Sequence, residues 1–231
     1  NPHLMGVTER VVTETRPALV PLTFEPTLLE QLKPLAGVAV DAVVKAAPNP
    51  ASTSPKSDRP SFKEAMLFTH RGLSGPSILQ ISSYWREGEA ITVDMAPGED
   101  VAARLLAAKT ENGKQAVHTA LGHIIPRRLA EVICAREGLS GKLAEIGDKK
   151  LRLLAEAVVA WTVKPVGSEG YRTAEVTLGG VDTAALDQQT LEAKAVPGLF
   201  FIGEVVDVTG WLGGYNFQWA WSSGWAAGQS C

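Results

Sequence analysis

The sequence has few cysteines, no long apolar run and little net charge. Cys134 and Cys231 have the spacing of neither a metal site nor a redox pair, so we expect a reduced, cytoplasmic protein without a bound metal. No apolar segment approaches the ~20 residues that a membrane-spanning helix needs, and the first residues lack the features of a signal peptide. The net charge of −3 argues against nucleic acid as the main partner. These absences predict a small-molecule substrate, with neither nucleic acid nor membrane as a partner.

The order of the predicted elements indicates an inserted helical unit. Hydrophobic residues make up 45% of the chain, enough for a sizeable core. Alternating and β-branched apolar residues predict strands at residues 16–24, 35–47, 65–69 and 90–95, whereas apolar residues at helical spacing predict three or four helices over residues 99–157. Residues 158–164 and 171–178 are then predicted to form a hairpin. Because strands resume after the helices, we expect an α+β fold with a helical unit inserted in a β-rich domain.

One segment of the β-rich part has the composition of an exposed loop. Four prolines fall between Pro48 and Pro60, together with serines, a threonine and an asparagine. This mixture is typical of a connection rather than of a packed element. We therefore predict a surface loop between two strands at this place.

The C-terminal stretch has the features of a ligand-binding strand end. Residues 199–202 are continuously apolar, which predicts a strand buried on both faces, and Gly203 and Glu204 follow directly. Ligands of open α/β sheets bind at the carboxyl ends of strands. The carboxylates of Glu204 and Asp207 could accept hydrogen bonds from sugar or ribityl hydroxyls there, while Gly203 permits close approach. The alternative is that both carboxylates cap a turn or face solvent.

A glycine pair introduces the last predicted helix. Gly213 and Gly214 precede it, so the free N–H groups of Tyr215, Asn216 and Phe217 fall in its first turn, where an electron-rich ring edge would be favoured. An aromatic stripe follows at four-residue spacing. We favour core packing for this stripe over stacking on a ligand; its members are Phe217, Trp221 and Trp225.

Two weaker candidate sites lie elsewhere in the chain. Gly179 and Gly180 form a second glycine pair after a predicted strand, and either a tight turn or a binding loop explains them. His70 follows a predicted strand at residues 65–69 and could donate a proton to a substrate. In the alternative that we favour, His70 bonds the backbone of its turn and Ser74 caps the next helix. That helix is predicted to begin at Pro76, with Gly75 as the other candidate cap.

The predicted helical unit is locally basic. Seven basic and four acidic side chains fall between Arg127 and Arg152. A solvated face is the favoured interpretation, and a docking surface for an acidic partner is the alternative.

Three blocks of sequence together resemble a bacterial family of FAD-dependent oxidoreductases, the flavoproteins of the YhiN and BaiN type. The first block is Pro-Ala-Leu-Val-Pro-Leu at residues 17–22, and the second is Leu-Phe-Thr-His-Arg-Gly-Leu-Ser-Gly-Pro at residues 67–76. The third runs over residues 177–216, from the Gly179–Gly180 pair through Gly-Leu-Phe-Phe-Ile-Gly-Glu to Gly-Gly-Tyr-Asn. The resemblance covers nearly all of the chain from Arg16 onward.

The resemblance implies an FAD domain that is interrupted by a β-barrel-like domain with its own helical insert. On this chain it implies an N-terminal remnant at residues 1–15 and a barrel-like domain at residues 16–97 and 158–178. The helical insert would be residues 98–157. Residues 179–231 would form the C-terminal part of a Rossmann-like FAD-binding domain.

The resemblance also implies an activity: transfer of hydride from NAD(P)H through FAD to an unsaturated or carbonyl substrate. In that case Gly203, Glu204 and Asp207 would face the ribityl region, and the backbone N–H groups of residues 215–217 would lie near the pyrimidine edge of the flavin. The alternative is a non-catalytic module that binds a substrate or partner and has no flavin of its own.

One family feature is absent from the sequence. Such flavoproteins begin with a Gly-x-Gly-x-x-Gly turn that holds the FAD pyrophosphate, and these 231 residues contain no such turn before the first block. We therefore expect a C-terminal piece of a longer flavoprotein that binds FAD weakly or not at all by itself.

Overall fold

The structure is a computed structural model that describes residues 12–46 and 60–230. It divides into two compact units. The central unit is Pro21–Ser168, and the terminal unit joins the residues up to Val20 to those from Glu169 onward. The predicted loop between Pro48 and Pro60 falls almost entirely on residues 47–59, which lie outside the described residues, as does most of the predicted N-terminal remnant.

Strands and helices alternate along the described residues. The strands are β1 (Arg16–Ala18), β2 (Leu22–Thr23), β3 (Ala39–Ala46), β4 (Ser61–Thr69), β5 (Gly72–Ser74), β6 (Ile91–Asp94), β7 (Trp161–Val163), β8 (Gly167–Ser168) and β9 (Val176–Leu178). The helices are α1 (Pro26–Leu32), α2 (Pro76–Ser82), α3 (Val101–Glu111), α4 (Val117–Leu121), α5 (Arg127–Arg136), α6 (Asp148–Val159) and α7 (Tyr215–Gly228). Short 3₁₀ turns occur at Lys33–Leu35, Leu143–Glu145, Thr183–Ala185 and Gly203–Val205.

An antiparallel sheet forms one part of the central unit. Its hydrogen-bonded order is β7-β6-β3-β4-β5-β2-β8. Along β3, Val40, Ala42 and Val44 are buried, and their neighbours in sequence are not, as expected of a strand with one face on the core. The predicted strands over residues 35–47, 65–69 and 90–95 are confirmed as β3, β4 and β6.

Helix α2 begins where a tight approach of two backbones requires glycine. Its N-cap residue, Gly75, has φ of +88°, and a Cβ added there would lie 2.8 Å from the carbonyl oxygen of Ala65. Pro76 occupies the first helical position, for which its fixed φ is suited. The start of the predicted helix is thus confirmed, with Gly75 rather than Ser74 at the cap.

The four helices α3 to α6 are confirmed within the predicted segment, and they share one core with the sheet. Leu105, Leu121 and Leu154 from these helices belong to the same buried cluster as Met66 and Phe68 of the sheet. The rings of Phe68 and Trp161 are stacked with centroids 6.1 Å apart. The mixed α+β fold with a helical insertion is therefore confirmed, and no break in the core separates the helices from the strands.

The terminal unit has a much smaller core. Strands β1 and β9 form a two-stranded antiparallel sheet. The buried cluster nearby consists of four residues, Val181, Leu186, Ala193 and Val206, with partly buried side chains that include Trp219. Helix α7, also predicted, completes this unit.

Two strand predictions are wrong. Residues 161–163 pair with β6 and residues 176–178 pair with β1, so the predicted hairpin between these segments does not form. Residues 199–202 form no strand in the described structure: Phe200 makes one isolated bridge to Glu192, and the Ile202 side chain is 44% exposed. Apolar content alone misled the second prediction, because a strand also needs a partner for its backbone groups.

Candidate functional site

The glycine pair after β9 allows two close backbone contacts in the terminal unit. A Cβ added at Gly179 would lie 2.1 Å from the carbonyl oxygen of Glu14, and one at Gly180 would lie 2.4 Å from that of Val205. The φ angles of +85° and +145° also favour glycine. Glycine is therefore required at both positions for the chain itself to pass through.

Asp207 is bonded to a residue that lies far away in sequence. The hydroxyl of Thr13 donates to Asp207 Oδ2 at 2.8 Å, and the N–H of Gly180 donates to Thr13 Oγ1 at 3.0 Å. The backbone continues this link, because Asp207 N–H donates to the Val181 carbonyl at 2.8 Å. One carboxylate oxygen of Asp207 thus has a structural role in joining three segments.

A cavity of about 350 Å³ lies beside these segments, wholly within the terminal unit. The predicted residues Gly179, Gly180 and Glu204 line it, together with Thr177 and apolar neighbours. Glu204 Oε1 accepts the backbone N–H of Thr177 at 2.6 Å, which fixes the carboxylate at the wall. The cavity therefore combines an anionic acceptor with close-packed backbone, an arrangement that suits a ligand with hydroxyl or N–H donors.

The start of α7 presents free backbone donors. Gly213 and Gly214 have φ of +113° and +88°, which turn the chain into the helix. The N–H of Gln218 donates to the Gly214 carbonyl at 2.9 Å, so the N–H groups of residues 215–217 belong to the first turn, before any helical bond of this kind.

Asn216 holds this start of the helix to the preceding loop. Its Oδ1 accepts the Gly210 N–H at 2.7 Å, and its Nδ2 donates to the Gly210 carbonyl at 3.1 Å. One acceptor site and one N–H of the Asn216 side chain are therefore used to position the loop, and its backbone N–H stays available to a ligand.

Gly203 anchors the inner face of α7. Its N–H donates to Ser223 Oγ at 2.8 Å, and its carbonyl accepts the Trp219 indole N–H at 2.9 Å. The sequence predicted that Gly203 permits close approach of a ligand. In the structure this position lies against α7, because the atom nearest to a Cβ added at Gly203 belongs to Ala220, at 3.6 Å. A ligand would therefore compete with the helix for the same space.

The outer face of α7 is apolar and exposed. Phe217, Trp221 and Trp225 are 77%, 76% and 70% exposed, so the core packing favoured from the sequence is not found in this chain. Tyr215 and Ile202 are also exposed. Aromatic side chains at this spacing normally lie against another element, so this surface is suited to a covering layer.

His70 occupies an exposed turn between β4 and β5 in the central unit. The N–H groups of Arg71 and Gly72 donate to Thr69 Oγ1 at 3.2 and 3.1 Å. The expected bond from His70 to the turn backbone is therefore replaced by the threonine, and Ser74 does not cap α2. The role of His70 as a proton donor stays a prediction.

The structure thus joins some of the predicted residues and separates others. Gly179, Gly180 and Glu204 line one cavity, whereas Gly213, Gly214 and the first turn of α7 are outside its lining. Thr13 was not predicted as a site residue, because no local sequence signal relates it to Asp207. Within residues 12–46 and 60–230 no group of three His, Cys, Asp or Glu side chains is arranged to hold a metal ion. Nor does any described helix have the length and apolar character to cross a membrane.

Comparison with known families identifies the class of this chain. Residues 16–176 match the family described as the HI0933-like protein barrel and H2TH domain. This match includes the antiparallel sheet and the four inserted helices. The chain therefore belongs to the HI0933-like family.

Three relatives with known names share substantial sequence with this chain. The ribosomal RNA dihydrouridine synthase of Escherichia coli K12 is 48% identical over 223 residues, which are 94% of this chain and 52% of that protein. The enzyme of the same name from Haemophilus influenzae is 41% identical over 220 residues, 95% of this chain and 52% of that protein. The 3-dehydro-bile acid delta(4,6)-reductase of Clostridium scindens is 30% identical over 178 residues, 71% of this chain and 43% of that protein. The chain thus spans about half the length of the curated relatives it matches.

These relatives overturn the activity expected from the sequence. Two of them, similar over nearly the whole chain, are named for the synthesis of dihydrouridine in ribosomal RNA. The expected transfer of hydride from NAD(P)H through FAD to a small unsaturated or carbonyl compound is therefore wrong, and NAD(P)H has no support as a co-substrate. The reductase relative is consistent with the flavoprotein family that the sequence resembles, but it does not support a particular substrate or co-substrate.

The exclusion of nucleic acid as a partner is wrong as well. It was based on the net charge of the whole chain, which is −3. A whole-chain sum does not exclude a local basic surface, because electrostatic interactions are screened beyond a Debye length of ~8 Å at physiological salt.

Proposed function

We propose that this chain is part of an RNA-modifying enzyme that converts a uridine of ribosomal RNA to dihydrouridine. One observation carries the proposal: the 48% identity, over 94% of the chain, with an enzyme of that name. Such similarity over both units supports a common reaction class better than the fold alone could. An enzyme with this substrate would work in the cytoplasm, where ribosomes are.

The reaction is a reduction. Dihydrouridine forms when the C5=C6 double bond of uracil gains two hydrogens, so a two-electron reductant must be present. Reduced FAD (FADH₂) would supply the two electrons and two hydrogens and be oxidised to FAD. The names of the relatives support it only in that a dihydrouridine synthase and a reductase both carry out reductions. We therefore propose FAD as the cofactor of the longer protein.

The terminal unit would hold one portion of the flavin dinucleotide. Its cavity of about 350 Å³ is at the lower end of the ~300–1,000 Å³ typical of small-molecule sites, which suits a portion of FAD rather than all of it. Glu204 would accept hydrogen bonds from ribityl or ribose hydroxyls, and the glycine pair would form the wall. The backbone N–H groups at the start of α7 would favour electron-rich flavin atoms.

The apolar face of α7 supports a larger FAD domain in the longer protein. Exposed Phe217, Trp221 and Trp225 would be covered by a further layer of chain, and the matched relatives are about twice as long as this chain. We propose that residues 179–231 are one part of a Rossmann-like domain and that the stretch 199–202 becomes a strand when such a layer pairs with it.

The activity is tested with the full-length protein. In a strain without the gene, dihydrouridine in ribosomal RNA should be absent when nucleosides are analysed by mass spectrometry, and the full-length gene should restore it. Ribosomal RNA with unchanged dihydrouridine in the deletion strain would refute the proposed function.

The flavin site is tested separately by the absorbance of purified full-length protein. Glu204→Ala should lower the FAD retained per protein, because the ligand loses an anionic acceptor. Glu175→Ala removes an exposed carboxylate from the same unit and should leave the flavin content unchanged. Equal flavin content in both variants would refute the assignment of Glu204.

A further inference from the structure

A groove lies in the helical part of the central unit. It has a volume of about 370 Å³ and lies between α3 and α4. Five of its nine lining residues are polar: Arg104, Glu111, Asn112, Gln115 and His123. The Gln115 Nε2 and His123 Nε2 atoms are 3.0 Å apart, so one side chain bonds the other across the lining. The groove therefore offers hydrogen-bonding groups of several kinds in a fixed arrangement.

Exposed basic residues flank Gln115 on one side of the groove. Lys114 precedes it in sequence, and Lys142 lies on the segment that pairs with it. The N–H of Leu143 donates to the Gln115 carbonyl at 2.9 Å, and Ala116 and Lys142 form an antiparallel bridge. Both lysines are exposed, and their backbones adjoin that of Gln115, which lines the groove.

A second basic pair lies near His123. The α4–α5 connection is tight, since a Cβ added at Gly122 would be 3.6 Å from the Arg127 Cα atom. Arg127 and Arg128 then open α5, and both side chains are exposed. Positive charge in the first turn of a helix opposes the helix dipole, so intrinsic helix stability does not explain these two residues.

Several of these cations lack a carboxylate partner among the described residues. Arg127 is paired with Glu131 at 3.0 Å, and Asp148 is taken by Lys109 at 2.7 Å. The latter contact holds the pKa of Asp148 below its usual value, and nearby Arg152 acts in the same direction. Among the basic residues from 114 to 150, those that are exposed and have no ion pair in the described structure are Lys114, Arg128, Lys142, Lys149 and Lys150.

We infer that the α3–α4 groove and the basic residues beside it form the surface through which this chain holds RNA. The inference rests on the proposed function and names the surface that it needs. Lysine and arginine would neutralise phosphates, which supply most of the salt-dependent affinity. Within the groove, Asn112, Gln115 and Glu111 have the acceptors and donors that read base edges. This mixture fits a nucleic acid better than an acidic protein, which presents no such edges.

The test measures binding of the 231-residue chain, without flavin, to fragments of protein-free ribosomal RNA by fluorescence anisotropy. A triple variant, Lys114→Ala with Arg128→Ala and Lys142→Ala, should bind at least tenfold more weakly. The slope of log affinity against log salt should fall by about 0.7 per lost contact to single-stranded RNA, or about 2 in total.

A matched control removes the same charge elsewhere on the central unit. Lys33→Ala, Lys45→Ala and Lys164→Ala are also exposed substitutions, and they should change the affinity less than twofold. An equal loss in both triple variants would overturn the inference, because binding would then depend on net charge alone. Competition by polyglutamate as effective as that by RNA would also overturn it in favour of an acidic protein.

The groove itself is tested by Gln115→Ala combined with His123→Ala. Affinity should fall while the salt slope stays unchanged, since no phosphate contact is removed. Unchanged affinity would exclude the groove from the surface. The full-length basic triple variant separates this inference from the proposed function. Normal dihydrouridine in cells carrying that variant, together with intact RNA binding, would refute the proposed RNA surface and leave the proposed function standing. An absence of dihydrouridine from wild-type cells would refute the proposed function and leave the RNA surface standing.

Discussion

The two units of this chain bury apolar surface to different extents. The central unit gathers large side chains from six strands, β2 to β7, and four inserted helices into one continuous cluster. The terminal unit has four buried apolar residues in its cluster, and it leaves four large aromatic side chains of α7 in solvent. Burial of apolar area is the main source of folding stability. The difference therefore predicts a stable central unit and a terminal unit whose structure depends more on backbone contacts and on further partners.

The sharpest test compares the same substitution in each unit. Phe68→Ala removes a side chain that is 1% exposed and stacked on Trp161, and it should lower the free energy of unfolding by about 3–5 kcal/mol. Phe217→Ala removes one that is 77% exposed, and the change should stay within ~0.5 kcal/mol. Chemical denaturation followed by circular dichroism measures both. A costly Phe217→Ala would mean that the α7 face is already covered.

The next test asks how far the terminal unit relies on backbone contact. Gly179→Ala combines a left-handed φ with a clash against the Glu14 carbonyl and should cost about 2–5 kcal/mol. Gly198 has a similar φ of +80° in the same unit but no atom within 4 Å of an added Cβ. Gly198→Ala should therefore cost only about 1–2 kcal/mol. Equal losses of stability would show that the close approach at Gly179 contributes nothing.

The smallest expected effect concerns a thiol in the core of the central unit. Burial raises the pKa of Cys134 to about 11, so its thiolate is rare at neutral pH. In a Cys231→Ser variant, a disulfide reagent should react with Cys134 slowly in the native protein and fully in denaturant. Rapid native labelling at pH 8 would contradict the burial of this residue.

The same thiol has a defined effect on stability against pH. Its folded-state pKa is raised above the ordinary value of 9.0, so both states are neutral below pH 9 and the unfolded thiol ionises first above it. Stability should therefore fall as the pH rises from about 9 to 11. Cys134→Ala should remove this part of the pH dependence, measured as the denaturation midpoint across that range.

The sequence predicted the central unit well because its elements have local signals. Alternation in β3 and helical spacing in α3 to α6 reflect burial on one face, which a linear pattern records. The strand prediction for residues 199–202 failed for the opposite reason. Apolar residues there indicate a buried environment, but whether they form a strand depends on which chain segments lie beside them. The pairing of β1 with β9 joins residues that are about 160 positions apart, for which no local rule exists.

The candidate site was predictable only in part, for a related reason. Gly179 and Gly180 were noticed as turn residues, and Glu204 as a carboxylate after an apolar run, yet their common cavity depends on the fold. The reciprocal bonds of Asn216 to Gly210 show that a residue can be correctly selected for its position while its side chain serves the loop. The exclusion of nucleic acid as a partner was drawn from total charge, although the basic stretch from Arg127 to Arg152 was visible in the sequence.

The single core of the central unit has a mechanical consequence. Separate domains joined by linkers move relative to each other by default, whereas α3 to α6 share their packing with the sheet and have no hinge of that kind in the described structure. Interiors packed at this density resist compression and transmit displacement. An RNA strand held on the α3–α4 groove would therefore keep a distance and an angle to the sheet of the central unit that the packing of the protein, and not the flexibility of the RNA, determines.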